Sequence, residues 1–433
     1  MSDSKERRTS STVEIPVWVA VALVVSFVLV AILLWSVKRR QDTHLRVGDP
    51  GELRAMIQSI VGLSHGSLDG GNDVRVIQNG AFFDALFAEI GAAKSSVHFE
   101  TYVWWTGEIT GRVAEAFAAK AREGVPVRVL LDASGSARME KSQLELMRAA
   151  GCKVAKFHPL RISNLGRMNN RDHRKLLIVD GRVGIVAGHG IAQEWTGNGE
   201  DREHWRDTAL RIEGPIVNRL QSVFSENWIE ETGEVFAGDE YFPALEPRGN
   251  VEAHVAYSSP AGSVSSVELL HLVAIAAARK QVLIQNPYFL PDVEDIEVFA
   301  AAAARGVDIR IMLPGDEVTD SALVQHASHH RFGALLEKGI RIFEFRRTLN
   351  HQKVIVVDGI WASVGSTNFD DRSFELNDEI SVGVVDEGIA AELIAAWDDD
   401  MKDTEEWTLE AWKKRSLWHR LVDFSTFLVN EQL

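Results

Sequence analysis

Apolar positions recur along this chain with three different periods. From Ile15 to Val37 no charged residue interrupts a run made mostly of Val, Ala, Leu, Ile and Trp. These 23 residues predict one helix able to cross a bilayer core of roughly 30 Å. Trp18 and Trp35 fall near its ends, where indoles favour the membrane interface. A cleaved signal peptide is the rival reading, but its apolar stretch is usually only about 7–15 residues. Beyond this run apolar and polar positions interleave. Phe82, Phe83, Leu86, Phe87 and Ile90 predict a helix over 81–93, and Ser96–Val103 predicts a strand. A helix over 113–122 ends at Gly124, and Val125–Asp132 is the next strand. Such alternation predicts an α/β sheet with helices on its faces.

The second half repeats this order. A helix over 270–279 leads into Val282–Tyr288, the counterpart of the strand ending at Tyr102. Ala304–Arg310 matches Arg122–Arg128, and Gly339–Ile342 matches Gly151–Val154. Landmarks in one order at offsets of about 178 to 188 residues predict two similar lobes about a pseudo-two-fold axis, with equivalent strand ends meeting in one cleft. The pattern divides the chain into a tail (1–14), a transmembrane helix (15–37), a polar linker (38–73), a first lobe (74–247), a second lobe (248–403) and a C-terminal amphipathic segment (404–433). In that last segment Leu417, Trp418, Leu421, Phe424 and Leu428 share helical spacing among Lys413, Lys414, Arg415 and Arg420. Two readings stand: an interfacial helix on anionic lipid, or a helix packed on the domain.

Composition narrows the function. A formal net charge of −16 argues against general nucleic-acid binding, which needs Lys and Arg in excess. The lone Cys152 excludes internal disulfides, fits a reducing compartment and reads as a buried structural thiol. Lys5, Arg7 and Arg8 before the apolar run are slightly outnumbered by Lys38, Arg39, Arg40 and Arg46 after it, which places the C-terminal bulk in the cytoplasm.

The chemistry lies in one pattern written twice. His173-Arg174-Lys175 is followed by Asp180, and His351-Gln352-Lys353 by Asp358; both read H-x-K-x(4)-D. Alternation along a strand sets His and Lys on one face, ahead of the apolar runs 176–179 and 354–357. One histidine can attack phosphorus to give a phosphohistidine. The other can protonate the leaving alkoxide and then activate the incoming hydroxyl. Lys175 and Lys353 can offset phosphoryl charge, so neither metal nor other cofactor is called for. Asp207 and Glu379 head later strands and are expected to orient the histidines. Asp180 and Asp358 precede Gly181 and Gly359 at turns and read as structural. Ser366 and Asn368 are expected to bind phosphate; the first half offers the Gly188 backbone and His189 instead. His326, His329 and His330 share a helix face without a ligand pattern for a metal, and would line a headgroup pocket.

These residues resemble the phospholipase D superfamily and, within it, the bacterial cardiolipin synthases. The likeness runs from about Val76 to Trp397 and includes His98–Tyr102, Trp205–Thr208, Asn286–Phe289 and Asn368–Asn377. Where the family usually has Gly-Gly-x-Asn after the first motif, this chain has Ala187-Gly188-His189-Gly190, and it carries one apolar span where many such synthases carry two. The resemblance implies two α/β/α sandwich lobes around one cleft in a protein of the bacterial inner membrane, and the one apolar span predicts a single pass. It also implies a phospholipid substrate such as phosphatidylglycerol, whose phosphatidyl group passes through a histidine to a second phosphatidylglycerol, giving cardiolipin. His173 is read as nucleophile and His351 as general acid/base. Attack by water instead would make a phospholipase D releasing phosphatidic acid; a non-catalytic lipid-binding protein is the alternative of a different class, and the acidic balance and anchor count against a nuclease of the superfamily.

Overall fold

A computed structural model of the protein describes residues 16–37, 53–63, 66–159, 169–260 and 265–427. The chain forms two compact units, residues 1–42 and 43–433. In the first, α1 (Val17–Val37) is a 21-residue helix without a charged side chain. Its side chains are described only at 17–27 and 30, and within the described residues no helix is long and apolar enough to cross a membrane. The tail 1–14 lies outside the described residues.

The second unit begins inside the stretch read as linker, which needs correcting. α2 (Leu53–Leu63) buries Leu53, Ile57, Ile60 and Val61 and packs on α7 (Ser266–Ala277). Its i, i+4, i+7, i+8 spacing is a helical stripe that the surrounding polar residues obscured. β1 (Asp69–Gln78) likewise begins within that stretch and runs into the first lobe. There follow α3 (Ala81–Ala92), β2 (Val97–Thr101), α4 (Glu108–Arg122), β3 (Val127–Asp132), α5 (Lys141–Ala149), β4 (Lys153–Phe157), β5 (Arg171–Asp172), β6 (Leu176–Val179), β7 (Val183–Ala187), β8 (Thr208–Glu213) and α6 (Val217–Thr232). The second half has β9 (Val251–Ser258), then α7, β10 (Gln281–Gln285), α8 (Val293–Ala304), β11 (Asp308–Pro314), α9 (Ala322–Leu336), β12 (Arg341–Phe345), β13 (Val354–Val357), β14 (Trp361–Gly365), β15 (Asn377–Val385) and α10 (Glu387–Asp400). β16 (Thr404–Trp407), α11 (Leu409–Lys413) and α12 (Leu417–Phe427) complete it. The segment read as amphipathic from 404 thus opens with a strand, which pairs antiparallel with β12.

Strand order explains how two halves make one site. The sheet runs β16-β12-β11-β10-β13-β14-β15-β9-β1-β8-β7-β6-β2-β3-β4. With the edge strand β16 set aside, the order is palindromic about the β9–β1 junction: β12 answers β4, β11 answers β3, β10 answers β2, and so outward from β9 and β1. Each half joins three parallel strands to antiparallel ones. The βα alternation accounts for the parallel set, since a helix must cross over between parallel strands. The continuous apolar runs fit strands covered on both faces: β6 and β13 are buried at every residue.

Three large hydrophobic clusters fill the described part of the unit. One belongs to the first half (Phe99, Phe117, Val129 and neighbours) and one mainly to the second (Val282, Ile311, Phe332). The third is shared: Leu130, Ile178 and Leu210 pack with Leu283, Val356 and Val382. Arg206 and Asp400, both buried, also tie the halves through two N–H···O contacts of 3.0 and 3.1 Å. Residues 43–433 therefore hold together as one body although the sequence is duplicated. Cys152 is buried with its thiol against the Phe117 carbonyl, and burial pushes its pKa up to about 11.

Candidate active site

Each H-x-K sits immediately before, rather than within, its core strand: residues 173–175 precede β6 and 351–353 precede β13. Their backbones are fixed by the opposite half. The His173 N–H donates to the Asp378 carbonyl (2.9 Å), and the His351 N–H donates to the Arg206 carbonyl (2.8 Å). β5 pairs in parallel with the start of β15, Arg171 against Asn377, and Arg206 forms the equivalent bridge with Asn350. The result is a crossed arrangement. Glu379 receives His173 Nδ1 at 2.8 and 3.0 Å, and Asp207 receives His351 Nδ1 at 2.8 Å. Both carboxylates expected as orienting groups lie on histidines, each on that of the other half. A carboxylate acceptor fixes the proton on Nδ1 and leaves Nε2 for chemistry.

Both imidazoles line one cavity of about 200 Å³ with Lys175, Tyr102, Trp105, Trp195, Trp205 and Tyr288. Arg171, Arg372, Asp320, Asp370, Asn368 and Asn377 complete its polar wall. The Lys175 ammonium donates to the His173 carbonyl (2.7 Å). The Lys353 ammonium donates to the His351 carbonyl (2.6 Å) and lies 2.9 and 3.0 Å from that ring's two nitrogens.

The electrostatics follow from burial. Desolvation lowers the His173 pKa to about 4 against the pull of Glu379, with Lys175 adding to the fall. Desolvation and Lys353 lower His351 to about 3, opposed by Asp207. Burial brings Lys175 down to about 8 and Lys353 to about 7, opposed by Glu379 and Asp207 in the first case and by Asp207 in the second. Burial alone would raise both orienting carboxylates, but nearby imidazole and ammonium groups hold Asp207 and Glu379 below their ordinary range. At neutral pH both histidines are thus neutral, and at least one free nitrogen can act as a nucleophile.

The expected phosphate binders divide. Asn368 lines the cavity, and its buried Oδ1 has no hydrogen-bond partner among the described residues. Ser366 does not face the cavity: its hydroxyl donates to Glu379 and accepts from the Ile380 N–H at 3.0 Å. Gly188 is likewise unavailable, because its N–H donates to the Thr208 carbonyl. A Cβ there would lie 2.3 Å from Asp207 Oδ1, so the absent side chain makes room for that carboxylate. His189 stacks on Phe82 and bonds the Asn79 carbonyl. Gly188 and Ser366 occupy equivalent places, so the first half lacks the serine donor. Trp195 supplies the missing bond, its indole N–H reaching Asp207 Oδ2 at 2.8 Å. Its ring also meets His351 edge-on at 5.1 Å. Only the Ala187–Gly190 departure pointed to that substitution, and nothing in the local sequence named Trp195.

Asp180 and Asp358 lie outside the cavity, both with φ of 55°. Asp180 accepts from the backbone N–H groups of Lys94, Ser95 and Ser96, and Asp358 from those of Arg279, Lys280 and Gln281. Each pins the turn entering the neighbouring strand, β2 or β10. The α9 histidines are also elsewhere: His326 pairs with Asp423 and His329 with Glu344, both at 2.9 Å, and none of the three lines the cavity. The headgroup role expected for them fails because their helix face turns toward α12 and β12.

The chain as a whole is similar to several known proteins. The family model described as "Cardiolipin synthase, PLD-like domain" matches residues 86–228 and 272–401. Cardiolipin synthase of Staphylococcus aureus (strain Mu50 / ATCC 700699) is 33% identical over 371 residues, 85% of this chain and 75% of that protein. Cardiolipin synthase of Listeria monocytogenes serotype 4b is 34% identical over 351 residues, 80% and 72% of the two chains. Among solved structures, phosphatidylserine synthase of Haemophilus influenzae Rd KW20 superposes with a TM-score of 0.66 at 12% identity, covering 88% of this chain and all of that one. That last likeness concerns the fold alone. With family-model matches reaching both halves of the duplicated sheet and relatives of this identity and extent, the chain belongs to the cardiolipin synthase family of phospholipase D-like proteins.

Proposed function

We propose that this chain is a phosphatidyltransferase that makes cardiolipin from phosphatidylglycerol or a similar phospholipid. The observation that supports it best is the crossed pair of carboxylate-held imidazoles lining one cavity with a lysine. His173 Nε2 attacks phosphorus, and the bond from phosphorus to the headgroup oxygen breaks. His351, as imidazolium, gives its proton to that oxygen, and the free alcohol departs. Neutral His351 then takes a proton from the incoming glycerol hydroxyl, which attacks phosphorus as the P–N bond breaks. Two phosphatidylglycerols give one cardiolipin and one glycerol. Burial first, and then the ammonium charges of Lys353 and Lys175, hold the His351 pKa down; a bound phosphodiester anion offsets the ammonium part and so favours protonation. The Asn368 amide and both ammonium groups offer donors to the non-bridging oxygens. The halves, the first extended back to β1 at residue 69 and the second spanning 248–403, act as two lobes sharing this cleft. The uncharged helix α1, about 31 Å long, serves as a single-pass inner-membrane anchor with the catalytic part in the cytoplasm.

The test is lipid analysis in a bacterial host lacking cardiolipin, with wild type, His173→Ala and His351→Ala at matched membrane levels. Cardiolipin from wild type alone is expected. Phosphatidic acid in its place would assign the hydrolase, and lipid binding with no product from any of the three would assign a non-catalytic role.

A further inference from the structure

α12 is amphipathic the wrong way round for a helix that only packs on its domain. Among its described side chains the buried ones are polar: Asp423 is 1% and Thr426 8% exposed. Asp423 accepts from His326 on α9 and pairs with Arg415. Four of its large apolar side chains face outward: Leu417 is 83%, Trp418 70%, Leu421 58% and Phe424 49% exposed. At 100° per residue these four fall within an arc of about 120°, opposite Asp423 and Thr426. A surface helix ordinarily buries such a stripe, and contiguous exposed apolar surface of this kind marks an interaction site.

Charge and position identify the occupant. Lys413, Lys414 and Arg420 are exposed at or just before this helix on a chain of net charge −16; Lys413 pairs with exposed Glu337 at 3.4 Å and Lys414 with exposed Glu410 at 2.6 Å, surface pairs that lipid phosphates can replace. The helix beneath leads to the cavity. Asp320, just before α9, lines the cavity and accepts from the Tyr288 hydroxyl at 2.7 Å. Tyr288 in turn packs with Val324 and Ala327 of α9. His326, which carries Asp423, lies within two turns of Asp320, so α12 rides one helix away from the cavity wall.

We propose that the exposed face of α12 docks the catalytic unit on an anionic phospholipid bilayer. Leu417, Trp418, Leu421 and Phe424 enter the headgroup–acyl boundary, while Lys413, Lys414 and Arg420 meet lipid phosphates. Docking there presents the cavity to lipid headgroups in the plane of the membrane. The inference rests on the phosphatidyltransferase reading for its purpose, but its test does not depend on turnover.

The test uses the full chain in a Cys152→Ala background, with an environment-sensitive fluorophore on Leu421→Cys, reconstituted into vesicles carrying shallow spin-labelled quencher lipids. Strong quenching in phosphatidylglycerol vesicles, falling several-fold in purely phosphatidylcholine vesicles, is expected. The inactive His173→Ala chain should be quenched equally, which separates this inference from catalysis. A second label on an exposed residue away from α12, Glu115→Cys, should stay unquenched. Absence of quenching at Leu421 in phosphatidylglycerol vesicles, whether the label stays wet or is shielded by a second copy of the chain, overturns the proposal. A companion variant, Leu421→Glu with Phe424→Glu, should lower turnover of vesicle phosphatidylglycerol about tenfold and leave that of monomeric short-chain phosphatidylglycerol unchanged. Equal turnover of vesicles by this variant and wild type also counts against it.

Discussion

At the scale of single residues, the two histidines are matched in partner type but not in how those partners are held. Glu379 is supported by the Ser366 hydroxyl and Asp207 by the Trp195 indole. Hydrogen bonds to buried charges contribute about 1.5–3 kcal/mol each. Trp195→Phe is therefore expected to lower kcat by roughly 10- to 100-fold, through His351 alone. Nitrogen-15 spectra should show the His351 tautomer disturbed and His173 unchanged, with Ser366→Ala giving the reverse; a change at both rings in either variant contradicts the crossed assignment. The lysines make a second prediction. An ammonium is charged below its pKa, so the grip on phosphate weakens as pH rises through about 7 for Lys353 and about 8 for Lys175. kcat/KM, which reports the free enzyme, should have an alkaline limb in this range. Lys353→Arg, charged throughout, should be slower but should begin its decline about one pH unit higher. An unchanged limb in that variant would separate Lys353 from phosphate binding. The H-x-K pairs and both orienting acids were legible as residues, because repetition singled them out. Trp195 was not, because it reaches Asp207 through the fold.

At the scale of elements, apolar periodicity carried far. The strands over 97–101, 127–132, 176–179 and 354–357 and the helix over 81–92 lie where the pattern puts them. Burial on both faces leaves little else for such runs to be. α2 was missed because eleven residues in a polar neighbourhood dilute a genuine stripe. β16 was missed because Thr404–Trp407 pairs only through the edge of β12, a partner that local sequence does not reveal. Ser366 was misassigned for a related reason. A serine after a strand was read by its chemistry, whereas its direction is set by β15, which brings Glu379 alongside. Gly188 shows the same logic in negative: what mattered was not its N–H but the 2.3 Å at which a Cβ would strike Asp207.

At the scale of the whole molecule, the duplication reads as one machine rather than two. Repeated landmarks revealed that halves exist, but not that each half completes the other's histidine. That exchange comes from the palindromic strand order and the parallel pairing of β5 with β15, neither of which leaves a local trace in sequence. It carries a consequence for assembly. Each chain holds both crossed pairs internally, over a core cluster to which both halves contribute. Undoing that cluster to trade halves between copies would expose a large apolar surface, at about 25 cal/mol for each square ångström. Full-length His173→Ala and His351→Ala chains, mixed in detergent and then reconstituted together, should therefore show no more activity than either alone. Recovery approaching a quarter of the wild-type rate, the share expected if halves were exchanged at random, would mean that copies swap halves and that the active unit is not the single chain. No recovery, with both variants folded and inserted, places the complete cavity in one polypeptide and makes the β9–β1 junction an internal seam rather than a subunit interface.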